Sequence, residues 1–305
     1  VTRSYSFLVN PTSGGGTAPR VVVPVARRLR EAGAAVEVTY TSSAADVPPL
    51  VKAAVAAGSV VVAVGGDGML SSVAGEVARA GGVLAVLPAG RGNDFVRQLD
   101  LPADADAQVR LLETGEPRPI DLLAVTGGAE VLVAGSVYCG VDARAGELVN
   151  RSHWLPSKLQ YPVATVRALA TYRPFDLAVT LEGDDGVQHS QHRAACVVVA
   201  NSGYYGKGVH IAPSAVVDDG ALDVVVIEAA GRLDLIRSLP KAYDGSHVAL
   251  DEVTVLRGRR VTISGTYDDG SAVPAGADGE PLGSLGTAAD PLTVELRPGA
   301  VRMLA

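Results

Sequence analysis

The chain is poor in cysteine. Its 305 residues hold two, Cys139 and Cys196, both in apolar surroundings. That argues against a disulfide framework and fits a reducing cytoplasm. Aromatic residues are scarce at 4%, so Val, Leu and Ala must fill any core. No apolar run approaches the ~18–20 residues of a membrane span. Tyr5–Val9 reads as a strand and not as the longer apolar region of a signal peptide. Excess positive charge is also missing: 26 Lys and Arg against 33 Asp and Glu leave a net charge of −7. This argues against nucleic acid as a partner. The chain has no G-x-G-x-x-G after a strand and no G-x-x-x-x-G-K-[ST]; Lys207, in Gly206-Lys207-Gly208, does not fit the latter. No Cys/His cluster has zinc spacing, and no G-x-S-x-G turn occurs.

What is present is an organised alternation. Strands are expected at 5–9, 35–40, 60–64, 83–87 and 119–124, with helices at 18–32, 46–57, 69–80 and 104–114 between them. Such alternation implies a parallel sheet covered by helices. Pro24 lies inside the first helical pattern and predicts a late start or a kink. Beyond 125, strand candidates follow one another at 130–138, 175–182, 194–200, 222–228, 251–256 and 260–265. Only 158–171 and 232–239 read as helices there, so this part should be antiparallel β. Residues 265–290 read as turns around a short strand, and Leu292–Leu296 as a closing strand that packs back on the first domain. The expected division is an α/β domain over 1–124 plus about 294–305, and a β-rich domain over 125–293.

Three glycine-rich loops sit at the ends of strands in the first domain. They are Asn10-Pro11-Thr12-Ser13-Gly14, Gly65-Gly66-Asp67-Gly68, and Pro88-Ala89-Gly90-Arg91-Gly92-Asn93-Asp94-Phe95. Ligands of open α/β sheets bind outside the carboxyl ends of strands. Glycines before a helix bring bare N–H groups to phosphate oxygens. Embedded acids add a place for the metal of a nucleoside triphosphate. Each loop has an ordinary reading too: a surface turn at 10–16, a turn aspartate at Asp67, and helix capping by Asn93 and Asp94.

In this order the loops resemble the diacylglycerol kinase catalytic domain, a superfamily that includes bacterial lipid kinases and sphingosine kinases. It is distantly related to NAD kinases. Ala200-Asn201-Ser202-Gly203-Tyr204-Tyr205-Gly206-Lys207-Gly208, Asp218-Asp219-Gly220-Ala221-Leu222-Asp223 and Asp278-Gly279-Glu280 extend the resemblance over nearly the whole chain. It implies a Rossmann-like α/β nucleotide domain followed by an antiparallel β-sandwich. It implies ATP held by Asn10, Pro11, Ser13, Gly14, Gly65, Gly66, Asp67, Gly68, Gly90, Arg91, Gly92, Asn93 and Glu280. Asp278 would be the general base, with Asp67 beside it. A structural Mg²⁺ would take Asp219 and the backbone carbonyls of Val216 and Ala221, with Asp94 and Asp121 in a supporting acidic network. The implied reaction moves the γ-phosphate of ATP to a lipid hydroxyl, first of all that of diacylglycerol. A sphingoid-base kinase, an NAD kinase-like enzyme and a silent nucleotide- or lipid-binding regulator are the alternatives. The choice between monomer and homodimer stays open at this point.

Two positions depart from the family pattern. Met69 stands where Thr usually follows Gly-Gly-Asp-Gly, and Arg91 replaces a Thr in the second loop. Arg91 is expected to pair with ATP phosphate or, in the ordinary reading, with solvent or an acid. Residues 144–173 form a locally basic and aromatic stretch: Arg144, Arg151, Lys158, Arg167 and Arg173 with Trp154, Tyr161 and Tyr172. Such a stretch suits peripheral docking on anionic lipid, or an ordinary amphipathic cover on the β domain.

Overall fold

The computed structural model describes residues 3–90, 92–126, 130–150 and 157–305, with side chains at all of these except 147, 149, 150 and 157–162. The first four strands, β1 (Ser4–Val9), β2 (Ala35–Tyr40), β3 (Val60–Gly65) and β4 (Val83–Pro88), pair in parallel in the order β2-β1-β3-β4. β3 is buried at every position, as a run of Val and Ala covered on both faces requires. Helices Ala18–Glu31, Val47–Ala56 and Asp67–Ala80 supply the cover. The chain leaves β1 toward β2 on one side and reaches β3 on the other, so the topology switches between β1 and β3. The three glycine-rich loops lie at that end of the sheet.

The remaining strands are β5 (Pro117–Thr126), β6 (Val131–Val133), β7 (Ser136–Gly140), β8 (Phe175–Gly183), β9 (Gly186–Ala200), β10 (Leu222–Glu228), β11 (Val253–Gly258), β12 (Arg260–Tyr267), β13 (Pro274–Ala277), β14 (Glu280–Ser284) and β15 (Leu292–Leu304). Pairings among β7 to β14 are antiparallel. They close over a core of Phe175, Leu177, Val197, Val224 and Ile263, with few rings and many branched side chains. The fold is thus α/β followed by an antiparallel β-sandwich. β15 links the two regions: its start pairs with β12, its end pairs in parallel with β4, and β5 runs antiparallel along it.

Several local features differ from the sequence reading, among them a helix at Val141–Asn150 where none is expected and a β9 that starts at Gly186 and not at 194. Pro24 lies within a helix that starts at Ala18, so no late start occurs. The buried face of Ala18, Val22, Val25, Ala26 and Leu29 outweighs one missing N–H. The strand expected at 130–138 is two strands, broken where Ala134 and Gly135 turn their N–H groups to a side chain. Residues 265–290 hold a hairpin, β13–β14, whose turn is Asp278-Gly279 with φ of 44° and 89°. Two left-handed residues in a two-residue turn match strand twist, and Asp-Gly tolerates them. Finally, β15 runs on to Leu304 because its second half finds β4 and β5 as neighbours.

Candidate active site

The three loops press together backbone to backbone. Ala89 N–H donates to Gly65 O at 2.9 Å, and Asn10 N–H to Val64 O at 3.1 Å. A methyl group at Gly90 would stand 2.4 Å from Gly66 Cα, and one at Gly14 2.3 Å from Ala89 O. Glycine is therefore demanded here by close approach of main chains. Ser13 Oγ lies 3.1 Å from where a Gly65 side chain would begin, with Met69 nearer still. Met69 thus packs over Gly65 as part of the core and leaves no hydroxyl at that position. Asn10 turns inward on its own loop, accepting from Thr12 N–H at 3.1 Å and Thr12 Oγ1 at 2.8 Å. Pro11 starts the turn between Asn10 and Ser13.

Gly66 is the N-cap of the helix Asp67–Ala80, with Asp67 and Gly68 in its first turn. The positive end of a long helix so faces the loops. Asp67 also reaches the third loop, accepting Phe95 N–H at 3.2 Å. Asn93 closes that loop by exchanging two bonds with Gly90, at 3.0 and 3.2 Å, and does not cap the following helix with its side chain. Arg91 lies outside the described residues. Asp94 is buried and accepts the N–H groups of Lys207 at 2.8 Å and Gly208 at 2.7 Å. It therefore anchors the Gly206-Lys207-Gly208 turn of the β region to the nucleotide loops. Burial, and then repulsion from Asp67, push its carboxyl up to about 6. Burial raises Asp67 too, against several backbone N–H bonds that favour its charge.

Asp278 comes from the β13–β14 turn to the same place. Its Oδ2 accepts Ala134 N–H and Gly135 N–H, each at 3.0 Å, and Oδ1 accepts Ser136 N–H at 2.8 Å. Burial raises its carboxyl; those donors and Ser71 oppose the rise. Tyr138 accepts Gly279 N–H at 3.1 Å and steadies the turn. Glu280 Oε1 lies 3.3 Å from where a side chain on Gly68 would begin, so the hairpin touches the second loop. A cavity of about 220 Å³ is walled by Asp67, Gly92, Asp94, Ser136, Lys207 and Asp278, among others.

Asp121 and Asp219 meet a different set of partners. Asp121, buried, accepts Gly220 N–H at 2.8 Å and Gly299 N–H at 2.6 Å, and its own N–H bonds Val217 O at 2.7 Å. Asp219 accepts Ala221 N–H at 3.1 Å and is ion-paired with Arg257, whose guanidinium also reaches Asp223 at 3.4 Å. Val216 is exposed. Among the described residues, no three His, Cys, Asp or Glu side chains are grouped to hold a metal ion. Asn201 joins the two sets by donating to Asp121 O and Ala134 O, both at 2.8 Å. Sequence reasoning assigned no role to Asn201, Tyr138, Ser71 or the Ala134–Ser136 backbone. Only Asn201 and its neighbours carried any signal, as part of a family-like segment.

Family models match both parts of the chain. The model of the diacylglycerol kinase catalytic domain matches residues 4–125, and that of the YegS C-terminal NAD kinase beta sandwich-like domain matches 135–305. A diacylglycerol kinase of Mycobacterium tuberculosis is 31% identical over 286 residues, covering 88% of this chain and 92% of that protein. The chain belongs to the diacylglycerol kinase family. A diacylglycerol kinase structure from Bacillus anthracis superposes with a TM-score of 0.71 at 19% identity, covering 99% of this chain and 96% of that one. An NAD kinase from Archaeoglobus fulgidus in complex with ATP gives 0.50 at 15% identity, with 99% and 93% covered. Both share the fold. Like other diacylglycerol kinase-family members, this chain is a lipid kinase.

The basic stretch at 144–173 is only partly free. Tyr172 is buried, with its hydroxyl on Ala230 O, and Arg173 pairs with Asp269 at 2.9 Å while lying over Tyr267. Arg167 and Val166 are exposed on the helix Ser157–Ala170. Arg151 and Trp154, and the side chains of Lys158 and Tyr161, lie outside the described residues. No described helix is long and apolar enough to cross a membrane.

Proposed function

We propose that the protein transfers the γ-phosphate of ATP to the free hydroxyl of diacylglycerol, yielding phosphatidic acid and ADP. The observation that carries this reading is the seat of Asp278. A carboxyl held by three backbone donors stands in one cavity with the acids of two phosphate-type loops. Asp278 would take the proton as the lipid oxygen attacks the γ-phosphorus, and the bond to the ADP oxygen would break. Phosphoryl transfer asks mainly for positioning and charge stabilisation. The packed glycines and the positive end of the helix Asp67–Ala80 provide both for the triphosphate. In this proposal ATP contacts Asn10, Pro11, Ser13, Gly14, Gly65, Gly66, Gly68, Gly90, Gly92, Asn93 and Glu280, and Arg91 pairs with a phosphate.

Asp67 and Asp94 repel one another beside that site, which fits a hard cation carried in with the phosphates. When bound, Mg²⁺ would offset phosphate charge. At Asp219, with the carbonyls of Val216 and Ala221, the oxygen donors also suit Mg²⁺, but Arg257 already covers the carboxylate. A cation there must displace the guanidinium.

The same proposal places the two units at 1–124 with 294–305, and at 125–293. Acyl chains would enter an apolar cavity of about 320 Å³ lined by Ala145, Leu169, Ile227, Leu235, Leu239 and Val253. Arg167, with exposed Val166, Leu233 and Tyr243, would meet anionic lipid. Phosphate transfer from ATP over a panel of diacylglycerol, sphingosine and NAD tests the reading. Phosphatidic acid as the main product supports it, and transfer to NAD alone overturns it.

A further inference from the structure

Two cavities meet at one carboxyl. The polar chamber of Asp278 and the apolar chamber of the β region share Asp142 and Tyr205 in their walls. Asp142 sits in the helix Val141–Asn150, directly after β7. Its carboxyl receives the Tyr205 hydroxyl and the Cys196 thiol, and burial raises its proton affinity. Oδ2 is closed off from solvent and has no hydrogen-bond partner among the described residues. A buried polar atom without a partner costs free energy, so such atoms ask for an explanation.

We propose that Asp142 reads the glycerol backbone of the acceptor lipid by donating a hydrogen bond to an ester carbonyl. This rests on the diacylglycerol reading of the same site. In its protonated form the carboxyl accepts from Tyr205 and Cys196 and still has one proton to give. Its terminal torsion is soft, so either oxygen can turn toward the cavities. A diacylglycerol with its hydroxyl at Asp278 and its chains in the apolar chamber carries its ester carbonyls through the junction. Those carbonyls are acceptors only, and a proton on Oδ2, the oxygen that is left without a partner, would meet them. An amino alcohol would bring an ammonium there and would need an ionised carboxylate instead.

The test compares kcat/KM for a 1,2-diacylglycerol and for the 1,2-dialkylglycerol of equal chain length, which lacks the carbonyls. Wild type should favour the ester lipid by roughly three- to tenfold, the worth of one hydrogen bond. Asp142→Asn keeps a donor and should keep the ratio; Asp142→Leu, of similar size, should bring it close to one. Asp142→Ala is the second donor-less variant if Leu does not fold. Equal use of both lipids by wild type overturns the inference, as does an unchanged ratio in both donor-less variants. So does a preference for sphingosine that Asp142→Asn abolishes. If wild type phosphorylates neither glycerolipid, the diacylglycerol reading itself falls, and this inference with it.

Discussion

Gly135 and Asp278 stand in direct opposition: a methyl group on Gly135 would lie 2.5 Å from Asp278 Oδ1. The carboxyl occupies the space that any side chain at 135 would need. Gly135→Ala should therefore unseat Asp278 and leave the nucleotide loops, which belong to other segments, intact. The expected result is a fall in kcat of about 10²–10⁴-fold, the usual worth of a general base, with KM for ATP nearly unchanged. Steady-state kinetics with varied ATP separates the two effects.

Asp94 should make stability depend on pH. Its carboxyl titrates near 6 when folded, above the usual carboxylate range. A raised value means that the folded state holds the proton more tightly than the unfolded chain. The stabilising contribution is full below about 4 and is lost as pH rises through about 6. Two units correspond to roughly 3 kcal/mol. Asp94→Asn removes the dependence, so its melting temperature should gain on wild type between pH 4 and pH 7.5, by on the order of 5 °C. Thermal melts in nucleotide-free buffer measure this. Parallel curves for the two proteins would show that burial does not raise the Asp94 carboxyl.

Arg257 should decide how the Asp219 loop responds to divalent cations. With the guanidinium on Asp219 and Asp223, wild-type melting should be insensitive to millimolar Mg²⁺ against chelator. Arg257→Ala leaves Asp219 and Asp223 without their paired cation and should melt lower without metal. Mg²⁺ should then recover several degrees, since a ligand that binds only the folded state stabilises it. A wild-type protein already stabilised by Mg²⁺ would show that the cation displaces Arg257.

The α/β alternation, the switch to antiparallel strands and the closing strand were legible because hydrophobic periodicity and glycine placement are local signals. The loops at Gly65-Gly66 and Gly90 could be read for the same reason. The seat of Asp278 could not. It is built from the N–H groups of Ala134, Gly135 and Ser136, which leave no mark in side-chain chemistry. Asp94 could be read as a loop acid, but its partners at Lys207 and Gly208 lie more than a hundred residues away. Asp219 shows the limit most plainly. A carboxylate in an Asp-Asp-Gly turn suits a cation, and only the pairing of β10 with β11 reveals that Arg257 is within reach.

The most direct test is the rate of phosphate transfer from ATP to diacylglycerol by wild type and by Asp278→Asn, at saturating ATP. Asn keeps the size of the side chain and cannot take the proton. Wild type should form phosphatidic acid, and the variant should be at least about 100-fold slower. An Asp278→Asn enzyme as fast as wild type would contradict a general-base role for the carboxyl at the tip of the β13–β14 hairpin.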